Sequence, residues 1–266
     1  MKGIMRRLCV ALATLLACAL CAGGAWGAEG DYVLKGGKGY RVDKAKDRLI
    51  EMGENIRRPE DEGTFPCIQR ADTDAGLISC VLVDPEFEGM EGSEGGIYFF
   101  LGEKPAGFLP MKEAPICELH FSPSGEKLAI HHTDGEERWF AVDFYLVDAA
   151  NKSFVKKASF FSERVIGFWT DPHRFAFTTI DKKKGFRPGS QNELWSSAAL
   201  YDTVEEELIV LKEATATQNY VVVDCDLDAG TLKVIETSVK DEKDWDESSE
   251  GIHELEALTI PIPAAG

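Results

Sequence analysis

The sequence lacks the local motifs that mark several common enzyme classes. It contains no Gly-x-Ser-x-Gly elbow, no His-Glu-x-x-His pattern and no glycine-rich phosphate loop. Each of these motifs builds a reactive site from residues close together in the chain. Their absence argues against serine-hydrolase, zinc-protease and P-loop chemistry. A carbohydrate-active enzyme stays open as an alternative, because a glycosidase needs only two or three carboxylates that converge from distant parts of the chain.

Positive charge is scarce as well. The 29 Lys and Arg residues stand against 46 Asp and Glu, which gives a formal net charge of −17. Proteins that bind nucleic-acid phosphates or anionic lipid headgroups use Lys and Arg to displace counterions. The composition therefore argues against a nucleic-acid-binding protein and against one held to an anionic membrane surface.

Long apolar runs are missing except at the N-terminus, where one extends from Leu8 to about Ala22. It follows Lys2, Arg6 and Arg7, and the small-residue stretch AGGAWGA comes after it. This order is typical of a secretory signal peptide, and the run is too short for a membrane span. The sequence therefore predicts an exported protein with no transmembrane span in its mature chain.

The predicted signal peptide sets the domain boundaries. We expect a signal peptide over residues 1–28 and a single domain over residues 29–266, periplasmic or extracellular, with a net charge of about −20. In the alternative, the stretch TLLAC resembles a bacterial lipobox, and its Cys18 would carry a lipid anchor. Both alternatives take the protein out of the cytoplasm.

Cysteines are few in the predicted domain. Of seven in the chain, three lie in the signal peptide, and four remain: Cys67, Cys80, Cys117 and Cys225. None of the four forms a Cys-x-x-Cys pair, so neither a thioredoxin-type site nor a zinc ribbon is indicated. In an oxidising compartment they allow two disulfides with three connectivities. Buried free thiols are the alternative, since three of the four lie in apolar runs.

What the chain does contain is a repeated pattern. An apolar run, a turn of Asp, Ser, Pro or Gly, and a second apolar run recur at residues 70–84, 116–133, 165–181 and 221–238. Gly76, Gly125 and Gly230 can adopt the positive φ that tight hairpin turns require. The turns are centred about 50 residues apart, a period typical of a repeating supersecondary unit.

Each repeat also contains a second pair of strands joined by a polar turn. Four strands per unit near this period predict an all-β fold, a β-propeller of about five four-stranded blades. The fifth blade would combine residues 30–64 with the C-terminal stretch 252–263, so that both chain ends close the ring. A β-sandwich or an irregular all-β domain is the alternative.

One turn carries a family resemblance. The segment FSPSGEKLAI, residues 121–130, resembles the repeat of TolB-type and WD-like propellers, in which Phe-Ser-Pro-Asp-Gly precedes a Leu-Ala pair; here Ser124 replaces the Asp. The resemblance implies a propeller fold and a link to bacterial cell-envelope assemblies. It brings no catalytic residue, because the motif shapes a turn.

Two clusters contain residue types that bind metals. His120, His131, His132 and Asp134 lie close in sequence, but adjacent strand residues point to opposite faces, so at most two of the three imidazoles can share a site. The stretch DCDLDAG places Asp224, Asp226 and Asp228 at alternate positions, as in a calcium-binding loop, but Ala229 and Ile235 stand where such a loop has Gly and Glu. The sequence therefore predicts no cofactor and leaves calcium as the only candidate. In both clusters, ordinary polar strand residues are the alternative.

A basic island interrupts the acidic chain within DKKKGFRPGSQNELW, residues 181–195. Its candidate binding residues are Lys182, Lys183, Lys184, Arg187 and Trp195. Loops on a rigid β-scaffold commonly bind partners, so this loop is the predicted interaction surface.

The function that these features predict is a binding or scaffold protein of the cell envelope. Its partner would be a protein or a glycan, and no catalytic residue is nominated. The rival hypotheses are a carbohydrate-active enzyme with carboxylates in the propeller funnel and a structural domain stabilised by a metal.

Overall fold

The structure is a computed structural model. It describes residues 32–35, 38–43, 48–51, 55–57, 64–66, 68–83, 95–111, 116–133, 140–148, 153–188, 190, 193–245 and 254–264. The predicted signal peptide with Cys18, and also Cys67 and Asp134, lie outside these ranges.

The described chain consists almost entirely of β-strands, and every strand pair is antiparallel. In chain order the strands are β1 (Tyr32–Lys35), β2 (Lys38–Asp43), β3 (Arg48–Glu51), β4 (Asn55–Arg57), β5 (Thr64–Pro66), β6 (Ile68–Thr73), β7 (Gly76–Val83), β8 (Gly96–Leu101), β9 (Lys104–Pro110), β10 (Ile116–Phe121), β11 (Lys127–Thr133), β12 (Phe140–Asp148), β13 (Ser153–Trp169), β14 (Arg174–Ile180), β15 (Ser196–Asp202), β16 (Glu207–Lys212), β17 (Gln218–Asp226), β18 (Thr231–Ser238) and β19 (Glu254–Pro261). Two short 3₁₀ helices cover Lys182–Lys184 and Glu242–Trp245. Within the described ranges, no helix is long and apolar enough to cross a membrane.

Strands that follow one another in sequence are neighbours in each sheet. The sheets are β1–β3, β4–β5, β6–β9, β10–β16 and β17–β19. The seven-stranded sheet divides at β13, because its residues up to Ser162 pair with β12, whereas Ser162 itself and the residues from Gly167 onward pair with β14. It is therefore two four-stranded units that share one long strand.

Five units result, and each is named by its strands. Unit 1 is β1–β3, unit 2 is β6–β9, unit 3 is β10–β12 with the first half of β13, unit 4 is the second half of β13 with β14–β16, and unit 5 is β17–β19. Units 2, 3 and 4 each have the four strands that the sequence pattern predicts.

The units stack face to face in chain order through four apolar interfaces. Units 1 and 2 bury Tyr32, Leu34, Ile68, Val81, Val83, Tyr98 and Phe100, and units 2 and 3 bury Ile78, Cys80, Leu82, Ile97, Phe99, Leu109, Leu128, Ile130 and Tyr145. Units 3 and 4 bury Ala129, Val142, Phe144, Trp169, Phe175, Phe177 and Tyr201. Units 4 and 5 bury Ala176, Ala198, Leu200, Tyr220, Val222, Leu232, Val234 and Ile260.

The central strands are apolar on both faces because each unit is covered from both sides. On β7, Val81 and Val83 face unit 1, whereas Cys80 and Leu82 face unit 3. Successive strand residues point to opposite faces, so a run of buried apolar residues is what a sheet between two others requires. Consecutive antiparallel sheets stacked in this way confirm the all-β, propeller-type fold and exclude a two-sheet sandwich.

The predicted hairpin turns are present, and their glycines explain two of them directly. Gly125 has φ +75° and Gly76 has φ +111°, a region that residues with a Cβ rarely adopt. A Cβ on Gly125 would also lie 2.8 Å from Thr73 Oγ1. The two turns meet there, and the Asp74 amide donates to the Pro123 carbonyl at 2.9 Å. The repeat glycines therefore shape each turn and also let neighbouring turns approach.

The C-terminal strand differs from the prediction. β19 pairs along its whole length with β18, from Thr231↔Pro261 to Ser238↔Glu254, instead of joining residues 30–64. Ile260 and Leu258 pack with Leu232 in the interface with unit 4, so the apolar pattern of β19 fits this register. Residues 30–64 instead contribute unit 1 and the β4–β5 ribbon.

Candidate functional site

The basic island lies beside a groove between units 3 and 4, which we call the basic groove. Its volume is about 640 Å³, within the range of ligand-binding clefts. It is lined by Ser159, Phe160, Phe161, Thr179, Ile180, Asp181, Lys182, Lys183, Lys184, Trp195, Ser197, Leu208, Val210, Glu213 and Ala214.

The wall of the groove is apolar and rigid. Phe160 packs against Phe144, Phe177 and Tyr201, with ring centroids 5.1–6.0 Å apart, so its position is fixed by the core between units 3 and 4. On the opposite side, Val210 is 47% exposed. The groove therefore offers apolar surface that is accessible from solvent.

Three lysines form one end of the groove, on a turn that we call the lysine turn (residues 181–185). Asp181 begins it, because its Oδ1 accepts from the Lys183 amide at 3.1 Å. Gly185 ends it with φ +65°. Lys182 is half-buried with its Nζ 4.4 Å from the centroid of the Phe161 ring. Lys184 Nζ lies 3.9 Å from Asp181 Oδ2.

Trp195 closes the wall behind the lysine turn. Lys184 Nζ lies 4.8 Å from the centroid of its ring, a cation–π contact. The indole N–H of Trp195 is buried and has no acceptor within the part of the chain that the structure describes. The predicted binding residues Lys182, Lys183, Lys184 and Trp195 therefore do meet at one site.

Arg187 does not join them, contrary to the prediction of an exposed binding residue. It is 1% exposed, and its guanidinium carbon lies 4.3 Å from the Trp195 ring centroid and 4.1 Å from that of Trp245. Burial lowers its pKa to about 10. The guanidinium donates to Leu194 O, Thr215 O, Ala216 O, Gln218 O and Asn219 Oδ1. Arg187 is thus a structural residue that ties the loop to unit 5.

An ion pair lies just beyond the far end of the groove. Lys157 Nζ on β13 lies 2.8 Å from Glu206 Oε1 in the β15–β16 turn, and the residues that line the groove begin two positions later, at Ser159 on β13 and Leu208 on β16. The groove therefore runs from near this ion pair to the lysine turn, with β13 along one side and β16 along the other.

The three aspartates proposed for calcium do not form a site. Asp224, Asp226 and Asp228 are exposed, and two of them accept from backbone amides: Asp224 Oδ1 from Cys225 at 2.8 Å, and Asp226 Oδ1 from Ala229 at 2.9 Å. Lys233 is the cross-strand neighbour of Asp224. In the described ranges, no three His, Cys, Asp or Glu side chains are grouped as metal ligands. The alternate aspartates belong to the solvent face of a strand and its turn.

The histidines separate onto two faces, as alternation on a strand requires. His120 and His131 face unit 4, with ring centroids 5.1 Å apart, and both contact Phe175. His131 is fully buried, and neither of its ring nitrogens has a partner in the described part of the chain. Burial lowers the pKa of His120 to about 4 and, together with the neighbouring histidines, lowers the pKa of His131 to about 2.

His132, on the other face, belongs to a polar cluster around the buried carboxylate of Asp143, which the sequence did not reveal. Asp143 lies at its centre, with His132 Nε2 at 3.2 Å, Lys156 Nζ at 2.6 Å and Ser159 Oγ at 2.5 Å. Burial favours the neutral acid, but the close contacts with His132, Lys156 and Ser159 outweigh it and lower the pKa of Asp143 to about 2. Burial would also lower the pKa of His132, but the Asp143 carboxylate raises it instead.

This cluster has the residue types of a Ser-His-Asp triad, but its carboxylate lies between the serine and the histidine. Ser159 donates to the carboxylate and not to the imidazole, and a carboxylate with so low a pKa is too weak a base to activate the hydroxyl as the imidazole of a triad does. A carboxylate with a pKa near 2 is also unsuited to act as a general acid. No sequence signal marked the cluster, because its members come from three different strands.

The cysteines that the structure describes are free thiols. Cys80 is buried in the interface between units 2 and 3, which raises its pKa, and Cys225 is half-buried in the interface between units 4 and 5. Cys67 lies outside the described residues, and only the backbone of Cys117 is described, within β10. With Cys80 and Cys225 free, two disulfides cannot form, and only a disulfide between Cys67 and Cys117 stays a prediction.

No protein-family model and no curated protein matches this sequence. Solved structures match it at low identity. A structure from work on two prolyl endopeptidases is 12% identical with a TM-score of 0.47, and the match covers 63% of this chain and 25% of that one. A putative TolB from Agrobacterium tumefaciens is 13% identical with a TM-score of 0.38, and 89% of each chain is covered.

A putative 6-phosphogluconolactonase from Bacteroides fragilis is 10% identical with a TM-score of 0.34, and the match covers 89% of this chain and 71% of that one. This chain thus spans only a quarter of the length of the prolyl endopeptidase chain. At these scores the propeller assignment rests on the stacked units themselves, and the functions named for these proteins do not transfer.

Proposed function

We propose that this protein is an exported binding protein of the cell envelope, which uses a propeller-type scaffold to hold an acidic protein or glycan partner in the basic groove. Export rests on the predicted signal peptide, and the envelope on the resemblance of residues 121–130 to TolB-type repeats. The residues assigned to partner binding are Lys182, Lys183, Lys184 and Trp195.

The basic groove is the observation that carries this proposal. In a chain with a net charge of −17, three adjacent lysines lie at the end of an apolar groove of about 640 Å³. Lys183 and Lys184 are exposed. The repulsion between adjacent positive charges makes this arrangement electrostatically unfavourable. Apolar surface with a few convergent charged groups is typical of binding sites, and a local positive patch on an acidic protein attracts acidic partners.

Photo-cross-linking within the groove tests the proposal. A photoreactive amino acid at Val210 in the full chain would be activated in an envelope extract, and the adducts identified by mass spectrometry. The test variant reverses Lys182, Lys183 and Lys184 to Glu. The matched control reverses Lys104, Lys233 and Lys240, which are exposed elsewhere and change the net charge equally.

We expect a saturable adduct that the control variant retains and the test variant loses. Adducts that are identical in both variants, or no saturable adduct at all, would overturn the proposal. The control separates a local role of the lysine turn from the general effect of making an acidic protein more acidic.

A further inference from the structure

Two strand edges without a neighbour flank the basic groove. β16 pairs only with β15 among the described strands, and residues 153–161 of β13 pair only with β12. A strand edge presents backbone N–H and C=O groups that another extended chain can pair with. The groove therefore offers backbone hydrogen-bonding groups as well as apolar and cationic side chains.

The two edges differ in protection. β13 carries Lys156 and Lys157 along this stretch, and charged lysines on an edge discourage strand addition. β16 has four consecutive apolar residues, from Leu208 to Leu211, between Glu207 and Lys212. Leu208 contacts the interface with unit 3, and Ile209 and Leu211 contact the interface with unit 5, whereas Val210 is exposed beside the groove. Its edge is the part left unprotected.

The groove has a direction. Lys157 pairs with Glu206 just beyond one end, and Lys182 contacts Phe161 at the other, so β13 and β16 both run toward the lysine turn. At about 3.3 Å per residue, the four-residue step from Lys157 to Phe161 spans about 13 Å. The space suits a short extended segment. Antiparallel pairing with β16, the more stable arrangement, would place the N-terminal end of that segment at the lysine turn.

We propose that the groove binds an extended segment of a partner protein, which adds to β16 as an antiparallel strand. This inference rests on the proposed function and names the class of partner. Apolar residues at alternate positions of the segment contact Phe160 and Val210, and acidic residues at its N-terminal end meet Lys182, Lys183 and Lys184. Asp181 and Glu213 also line the groove, but the three lysines leave this end with excess positive charge.

A designed peptide tests the inference. The probe is acetyl-Glu-Glu-Val-Thr-Val-Thr-Val-amide, with a peptide of reversed residue order as the control of equal composition. Two further versions carry N-methyl groups, one on the valines and the other on the threonines. Binding to the full chain is measured by calorimetry, and protection of the β16 amides by hydrogen exchange with mass spectrometry.

Strand addition predicts a dependence on register. Only alternate peptide amides face the protein, so we expect one N-methylated version to bind at least tenfold more weakly while the other binds as the parent does. We also expect the parent peptide to slow exchange in residues 207–212, and the reversed peptide to bind more weakly.

The outcomes separate the two proposals. If all peptides bind equally and depend on the lysine turn, without protection of β16, strand addition is overturned and the groove stays a site for acidic partners. If no peptide shows saturable binding that is lost when Lys182, Lys183 and Lys184 are reversed, strand addition is overturned, and the cross-linking experiment at Val210 alone decides whether the groove binds an acidic partner.

Discussion

Lys184 and Arg187 are only three residues apart in the basic island, yet Lys184 is exposed and Arg187 is buried. Arg187 is buried between two tryptophans, with backbone and Asn219 acceptors for its guanidinium. The three lysines stay at the surface, at the end of the groove. The position of a cation in a sequence cluster therefore does not reveal whether it binds a partner or stabilises the fold. The role depends on whether acceptors from elsewhere in the chain surround it.

The strongest test of this comparison is to remove the buried cation. Arg187→Met removes the charged donor from Thr215 O, Ala216 O, Gln218 O and Asn219 Oδ1, and hydrogen bonds to a charged group contribute about 1.5–3 kcal/mol each. We expect the free energy of unfolding to fall by at least about 3 kcal/mol, measured by urea denaturation. Arg187→Lys, which keeps the charge but loses the forked geometry, should fall between wild type and Arg187→Met. A loss below about 0.5 kcal/mol would place Arg187 with the surface residues.

The buried histidines offer a second contrast with Arg187, because they are cationic only when protonated. His120 has a single backbone hydrogen bond, with Val165, and His131 has no partner in the described part of the chain. The folded-state pKa values of His120 and His131 lie at about 4 and about 2, below the ordinary value near 6.5. The unfolded chain therefore binds more protons below pH 6.5, and stability falls as the pH falls. For each histidine the loss reaches about 2 kcal/mol at pH 5.

Urea denaturation at pH 7 and pH 5 measures this effect, with His131→Leu as the test variant. We expect the variant to lose less stability on acidification than wild type. His132→Gln is the contrasting variant, because the raised pKa of His132 contributes stability that is present at low pH and lost as the pH rises through it. The same pH dependence in wild type and His131→Leu would contradict the assignment.

At the lysine turn we expect the reverse of Arg187, with a small effect on stability and a large effect on binding. Replacing Lys182 and Lys184 by Met removes two charges that have solvent nearby, so we expect a change below about 0.5 kcal/mol in the free energy of unfolding. The affinity for the acidic peptide should fall at least tenfold, because its electrostatic partners are lost. A melting temperature that drops as far as that of Arg187→Met would show that the lysines are structural too.

The smallest effect is expected at the far end of the groove. The pair between Lys157 and Glu206 is partly exposed, with side chains 30% and 53% accessible, and such pairs contribute between about 0 and 1 kcal/mol. A double-mutant cycle with Lys157→Ala and Glu206→Ala should give a coupling energy in this range that decreases in high salt. A larger coupling that salt does not change would indicate a buried, structural pair.

Local chemistry was predictable from the sequence, and long-range placement was not. The turns at Gly76, Gly125 and Gly230 were predicted because the requirement for a positive φ acts on a single residue. The separation of His131 from His132 followed from strand alternation. By contrast, Arg187 is buried by residues 28 to 32 positions farther along the chain, which no local pattern reveals.

The candidate site also combines a local feature that was predictable and a long-range one that was not. The lysines were recognisable as a basic loop, but the groove beside them needs β13 and β16, which are about 50 residues apart and carry no binding motif. The pairing of β19 with β18 was missed for a related reason. An apolar alternating strand fits several edges, and its register is decided only by the side chains it meets.

β13 has a mechanical consequence, since its 17 residues belong to two units. A flexible loop could join two neighbouring blades. Here a continuous strand passes from unit 3 into unit 4 instead, and its register shifts between Ser162 and Gly167. A pulling force applied to one unit is therefore transmitted along the backbone into the other. In a single-molecule stretching experiment, the two units should unravel in one step, because neither retains its full set of strands once β13 is withdrawn.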